Sequence, residues 1–237
     1  MANLNLDSCP IIFEDDHMLV VNKQSGMLSQ PNQKGDPDIL KTISNMGIHL
    51  IGGEDPSRYG LVHRLDRDTS GILLLSKSQE SYKKLQDEFR LRQVNKTYHF
   101  LSIGQVKKME FTSKFPLGRH PKKRHTRMVC ENGRDAETHF KLIELYAKRY
   151  ALWCATPKTG RTHQIRVHAS EAGLSILGDP FYSKNNQYPN LDNNPIDHTM
   201  LHCIEIAIKH PVTDEIVTFN APYPEDFLSL KNQIKSM

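Results

Sequence analysis

Runs with β-strand patterning follow one another along this chain, with few helical segments between them. "NKTYHFLSIG" (95–104) is rich in aromatic and β-branched residues and ends in glycine. "AETHFKLIELY" (136–146) and "YALWCATP" (150–157) read as neighbouring strands joined by a short charged turn. Earlier, "IIFEDDHMLVVNK" (11–23) splits into two short strands at the acidic turn Glu14-Asp15-Asp16, and "QSGML" turns at Gly26. "GILLLSKS" (71–78) is a short apolar run and so a buried strand. "TMLHCIEIAIKHP" (199–211) alternates, and "EIVTFNAP" supplies a last strand.

The helical signals are fewer. Asp36 and Pro37 read as N-cap and first helical residue, with Ile39, Leu40, Ile43 and Met46 at helical spacing and Gly47 as the stop. Ser78 caps a segment whose Tyr82, Leu85 and Phe89 share one face, opposite Lys83, Lys84, Asp87 and Glu88. Thr162 is expected to cap a helix from His163 to about Ala172, closed by Gly173, and a short helix ends the chain. "SKNNQYPNLDNNP" (183–195) reads as a polar loop. Strands outnumber helices and mostly adjoin in sequence, which predicts an α+β fold with a largely antiparallel sheet.

The 237 residues, 38% hydrophobic, suffice for one sizeable core or one domain with two lobes. No apolar run approaches the roughly 18 residues of a membrane span. The start, "MANLNLDSCP", lacks the basic head and apolar segment of a secretory signal. Cys9, Cys130, Cys154 and Cys203 are widely separated, without C-x-x-C spacing, so separate thiols in a reducing cytosol are expected.

The formal net charge is +4, and its placement says more than its size. "GRHPKKRHTR" (118–127) gathers Arg119, Lys122, Lys123, Arg124 and Arg127, either as a solvated basic loop or as a phosphate contact. "KTGRTHQIRVH" (158–168) adds Lys158, Arg161, His163, Arg166 and His168. With Arg64 and Arg67, the two clusters favour a phosphate-rich ligand.

Several chemistries are disfavoured. The glycine-rich stretch "IGGEDPSRYG" makes neither a phosphate loop nor a dinucleotide fingerprint, and the chain has no G-x-S-x-G elbow. His163 and His168 are five apart, which does not stack two imidazoles on one helical face for a metal. What remains is cofactor-free chemistry on a carboxylate and cations. Asp66 in "HRLDRDTSG" (63–71) is the candidate carboxylate, although a salt-bridged turn residue is the plainer reading. Arg166, between Ile165 and Val167 in the first turn of its helix, is placed for a partly buried partner. A buried arginine keeps a neighbouring carboxylate ionised and oriented. Tyr98 is either a core aromatic or a base-stacking platform.

"HRLDRDTSG", "KTY" and "KTGRTHQIRVH…GDPFY", in this order and spacing, resemble the signature regions of the RluA-type pseudouridine synthases, and "VVNKQSGMLS" resembles the first segment of that fold. The similarity runs from about residue 11 to about residue 222. The resemblance implies an α+β fold: a mixed, mostly antiparallel sheet in two halves with flanking helices and a central catalytic cleft. Residues 11–237 would form a single catalytic domain after a 1–10 extension. It implies Asp66 as the catalytic aspartate, Tyr98 stacked on the target uracil, Arg166 paired with Asp66, and Arg64 entering the RNA stack when the nucleotide leaves it.

The implied partner is structured RNA, a ribosomal or transfer RNA stem-loop, with no cofactor or metal, no DNA and no membrane. A cytoplasmic monomer is expected. Arg67, Arg119, Lys122, Lys123, Arg124, Arg127, Lys158, Arg161 and His163 would contact the RNA. Two residues depart from the family pattern: Gln24 stands where proline is usual, and Phe100 replaces a small residue. The start leaves no room for the S4 RNA-binding domain that many relatives carry, so recognition is expected to rest on the catalytic domain. An inactive RNA-binding or ribosome-assembly factor on the same fold, and a glycosidic or phosphodiester hydrolase, are the alternatives.

Overall fold

The β-patterned runs fold as strands in the computed structural model, which describes residues 9–55, 58–123, 125–146, 149–183, 196 and 198–237. In chain order the first elements are β1 (Ile11–Glu14), β2 (Met18–Lys23), α1 (Ile39–Asn45), β3 (Ser70–Ser76), α2 (Gln79–Arg90) and β4 (Asn95–Ile103). Next come β5 (Glu110–Ser113), β6 (Leu117–Arg119), β7 (Arg127–Val129), β8 (Thr138–Tyr146) and β9 (Tyr150–Pro157). The last are α3 (Gln164–Glu171), β10 (Ser175–Ile176), β11 (Leu201–Lys209), β12 (Ile216–Asn220) and α4 (Glu225–Lys235). The class is α+β with mostly antiparallel strands, as the sequence predicts. The chain makes two compact units, Met1–Lys96 with Cys203–Tyr223 and Thr97–His202 with Pro224–Met237.

In the first unit β2 pairs antiparallel with β1 and β3, and β11 with β12. Every residue of β3 is buried, which explains its continuous apolar run. The turn between β1 and β2 is tied by Asp15, whose carboxylate accepts from the His17 and Met18 amides (2.8 and 2.7 Å) and bonds His210 Nε2 at 2.8 Å. Helix α1 begins two residues later than the Asp36-Pro37 signal predicts. Asp38 is its N-cap and accepts from the Lys41 amide at 2.9 Å, whereas the Pro37 carbonyl accepts from Leu28 N–H in a short parallel bridge. Gly47, at φ +78°, ends α1 as expected: its amide bonds Ser44 O, and that of Ile48 bonds Ile43 O. Ser78 caps α2, as predicted.

In the second unit β4 lies between β10 and β9, β9 between β4 and β8, and β5 pairs the outer side of β8. Its core is aromatic: Phe100 stacks on Trp153 (centroids 6.4 Å) and meets Phe140 edge-on, and Phe111 stacks on Phe140. The departure at Phe100 is thus absorbed as core packing, with its side chain fully buried. In the basic stretch at 118–127, Lys122 and Lys123 lie in the loop that the sequence suggests, and the structure adds the short strands on either side of it, β6 paired with β7. Leu117 and Val129 of that hairpin pack with Ala136, Tyr182 and Val167 of α3. The polar loop read at 183–195 lies, beyond Ser183, outside the described residues.

Candidate active site

The loop that carries Asp66 is held by bonds directed at its backbone. Ser29 Oγ donates to Leu65 O at 2.8 Å and accepts from Leu65 N–H at 3.0 Å. Ser25 Oγ donates to Asp68 O, and the Gly26 amide donates to Arg67 O, both at 3.0 Å. Lys23, whose side chain is fully buried, spreads its three ammonium donors over Gln24 O (2.9 Å), Met27 O (2.8 Å) and Arg67 O (3.1 Å). Burial pulls this amine down to about 7, opposed by the carboxylates of Asp68 and Asp66. The segment "KQSGMLS" is therefore a frame for the loop, and Gln24 contributes through its carbonyl alone. Asp66 itself is half-buried, and its carbonyl accepts from the Thr69 amide.

The ends of the same motif are fixed too. His63 stacks on Phe89 (4.4 Å between centroids, 17° between planes), and its Nε2 accepts the Leu74 amide at 2.9 Å. Burial, aided by the Lys96 charge, pushes this imidazole down to about 3, so it is a neutral acceptor. Gly71 sits at φ +110° with the Cys203 backbone of β11 against it, and a β-carbon there would lie 2.2 Å from Cys203 O. Only glycine fits that approach.

In the second unit α3 opens without the predicted Thr162 cap. His163 is the N-cap residue, at φ +58° and with no capping side-chain bond. The local order comes from Gln164. Its Oε1 accepts from Thr159 Oγ1 (2.7 Å) and Arg161 N–H (3.0 Å), and its Nε2 donates to Glu137 O (3.0 Å) and Thr138 Oγ1 (2.9 Å). All four hydrogen-bonding sites of the amide are used, which locks "TGRTH" onto the start of β8. At the other end Gly173 closes the helix as predicted, its amide bonding Ser170 O and that of Leu174 bonding Ala169 O.

Arg166 is 2% exposed and has Asp179 as a partner, which the sequence pattern did not single out. Its Nε donates to Asp179 Oδ2 at 2.7 Å and its Nη2 to Oδ1 at 2.9 Å. Asp179 Oδ1 also accepts the Phe181 and Tyr182 amides (2.9 and 3.1 Å), so one carboxylate shapes the "GDPFY" turn and orients the guanidinium. The arginine lies over both rings, 5.6 Å from Phe181 and 5.2 Å from Tyr182.

His168, counted with the basic cluster in the sequence, is no surface cation. It is fully buried between Thr138 Oγ1 (3.0 Å) and Phe115 O (2.9 Å), and burial lowers its pKa. Bonding to a carbonyl makes Nε2 the protonated nitrogen, leaving Nδ1 to accept the threonine hydroxyl.

Asp66, Arg64 and Arg67 belong to the first unit; Tyr98, Arg166 and the other basic residues belong to the second. Tyr98 is on β4, 9% exposed, opposite Ala155 of β9. Arg64 is exposed. Arg67 bonds Gly26 O through Nε at 3.1 Å and lies 3.8 Å from Asp36, so it helps hold the frame of its own loop. Arg119, Lys122 and Lys123 are exposed at the end of the β6–β7 hairpin, and the His120 ring accepts the Lys122 and Lys123 amides. Arg127 donates its amide to Tyr182 Oη at 2.7 Å, and Tyr182 Oη bonds His163 Nδ1 at 2.8 Å. Lys158 pairs with Glu137 (3.2 Å), and Arg161 Nε donates to Asp135 O. Arg124 lies outside the described residues.

Comparison with known proteins converges on one description. Residues 17–171 match the family model "RNA pseudouridylate synthase". The chain is 32% identical over 230 residues to ribosomal large subunit pseudouridine synthase D of Nitrosomonas europaea, covering 96% of this chain and 65% of that protein. It is 33% identical over 221 residues to the uncharacterized RNA pseudouridine synthase YhcT of Bacillus subtilis, covering 93% of this chain and 70% of that one. Among solved structures, human RNA pseudouridylate synthase domain containing 1 superposes with a TM-score of 0.75 at 25% identity, over 94% of this chain and 87% of that one.

Proposed function

The chain belongs to the RNA pseudouridylate synthase family, a family of RNA uridine isomerases, and on that premise we propose that it converts specific uridines of ribosomal or transfer RNA to pseudouridine, without a cofactor. The observation that carries this reading is the frame around Asp66: a buried lysine, two serines and a glycine amide hold the loop backbone. A turn aspartate with only a structural role needs no such frame; one that must meet a sugar carbon does.

The reaction breaks the N1–C1′ bond, turns the uracil and joins C5 to C1′, and the hydrogen on C5 leaves as a proton. Electrons balance without an oxidant. Asp66 acts near the sugar, either by attacking C1′ or by removing a proton from C2′ to give a glycal, which is then reprotonated. Tyr98 stacks on the detached uracil, and Arg166, oriented by Asp179, pairs with Asp66. The target nucleotide leaves the RNA stack at a cost of a few kcal/mol, which Arg64 lowers by filling the gap. Arg119, Lys122, Lys123, Arg124, Arg127, Lys158, Arg161 and His163 contact the RNA, and Arg67 does so only with the part of its charge not used within its own loop. A stem-loop uridine, a single catalytic domain over residues 11–237 acting as a monomer, and a cytoplasmic setting complete the proposal. Among the described residues no helix is long and apolar enough to cross a membrane.

The test is to incubate ribosomal and transfer RNA transcripts with the protein, digest them to nucleosides and quantify the products. Pseudouridine is expected, with intact RNA and no free uracil. Free uracil or a cleaved chain would make the protein a hydrolase. Binding without pseudouridine in either RNA would leave an inactive binding factor.

A further inference from the structure

Phe181 is a half-exposed aromatic ring (50%) in the second unit, the unit that also carries the exposed Arg119, Lys122 and Lys123. Single exposed apolar side chains are ordinary. This one is held on several sides. Its amide is bound by Asp179, its ring lies 5.6 Å from the Arg166 guanidinium, and it is within 11° of parallel to the His163 ring at 6.3 Å. Tyr182 meets it nearly edge-on at 6.4 Å. The ring is thus fixed before any ligand arrives, so little conformational freedom is lost on binding. Through Tyr182 Oη, which bonds both His163 and the Arg127 amide, the same turn is joined to the basic hairpin.

A flat, rigid ring on a turn tied to a basic hairpin suits single-stranded nucleic acid, in which bases stack on aromatics while lysine and arginine take the phosphates. We propose that Phe181 is a stacking platform for an unpaired base of the RNA other than the target uracil, which the proposed mechanism assigns to Tyr98. The proposal rests on the RNA-binding part of that reading and not on isomerase activity. Phe181 takes no part in bond chemistry; it adds affinity and selects for an unstacked nucleotide in the RNA.

The test uses two fluorescein-labelled single-stranded RNA decamers, one of adenosines and one abasic, titrated against wild type, Phe181→Ala and Phe181→Trp. Phe181→Ala is expected to bind the adenosine decamer on the order of tenfold more weakly. Its binding of the abasic decamer should be unchanged, and Phe181→Trp should bind both like wild type. If Phe181→Ala fails to fold, Phe181→Leu, apolar but without a π face, takes its place. Equal binding of the adenosine decamer by wild type and the alanine variant overturns the proposal. So does an equal loss on both decamers, or a wild type that binds neither. Pseudouridine formation, measured separately, decides the isomerase reading whichever way these titrations fall.

Discussion

His63 shows how much a single motif position does for the fold. Its ring accepts the Leu74 amide and stacks on Phe89, and it must be neutral to do so. Its folded pKa of about 3 lies below the ordinary 6.5. Between those values the unfolded chain binds a proton that the folded protein refuses. Stability is therefore undiminished above pH 6.5 and falls as pH drops toward 3, by at most about 1.4 kcal/mol per pH unit from this group. Urea unfolding at pH 7 and pH 5 should show a shallower acid loss for His63→Gln than for wild type; equal losses would mean the ring is not the group responsible. At this scale the sequence was half legible. "HRLDRDTSG" pointed to Asp66, but nothing in it told that the His63 ring accepts the Leu74 amide or that Gly71 passes against the Cys203 backbone. Asp179 stands within "GDPFY" without a local sign of its role, because its partner lies thirteen residues back and only the folded turn brings the two together.

At the level of elements, strands were easier to read than their ends. The runs at 71–78, 95–104 and 150–157 became β3, β4 and β9 because their apolar and β-branched content suits buried pleated positions. Helix starts misled where a capping residue had better employment. Asp36 lies beside Asn32 and Arg67 while Asp38 takes the cap, and Thr162 yields to the four bonds of Gln164. The β6–β7 hairpin was missed because each strand has three residues, too few to show alternation among so many cations. Backbone approach makes a sharper prediction. Gly71→Ala should cost about 3 kcal/mol or more, since its β-carbon meets a backbone carbonyl that cannot move aside, and Gly26→Ala, with positive φ but open space, only about 1–2 kcal/mol. Denaturation midpoints of the two variants check this, and equal losses would show that φ alone, not the close pass of β11, demands glycine at 71.

For the whole molecule, the fold class, the family and two halves were legible because the motifs span nearly the chain, whereas the building of each unit from two separate stretches was not. Residues 203–223 return to the first unit through strands β11 and β12, and 224–237 return to the second as helix α4, whose Asp226 and Lys235 pair with His198 and Glu144; such long-range contacts leave no local mark. The charge distribution makes a prediction at this scale. Lys122 and Lys123 are exposed between β6 and β7, where their backbone amides are bonded by the His120 ring. Replacing both with alanine should leave the unfolding temperature unchanged and weaken RNA binding. The slope of log affinity against log salt should flatten by about 0.7–0.9 for each phosphate that is no longer neutralised. An unchanged slope would remove the hairpin from the RNA surface.

We propose that Asp66 drives an isomerisation in which C5 of uracil becomes the glycosidic carbon. Its most direct measurement is tritium release from transcript RNA made with uridine labelled at C5, using wild type beside Asp66→Asn. Release by the wild type is expected and none above background by the variant, with both proteins folded and binding RNA alike. Equal release by Asp66→Asn would contradict it.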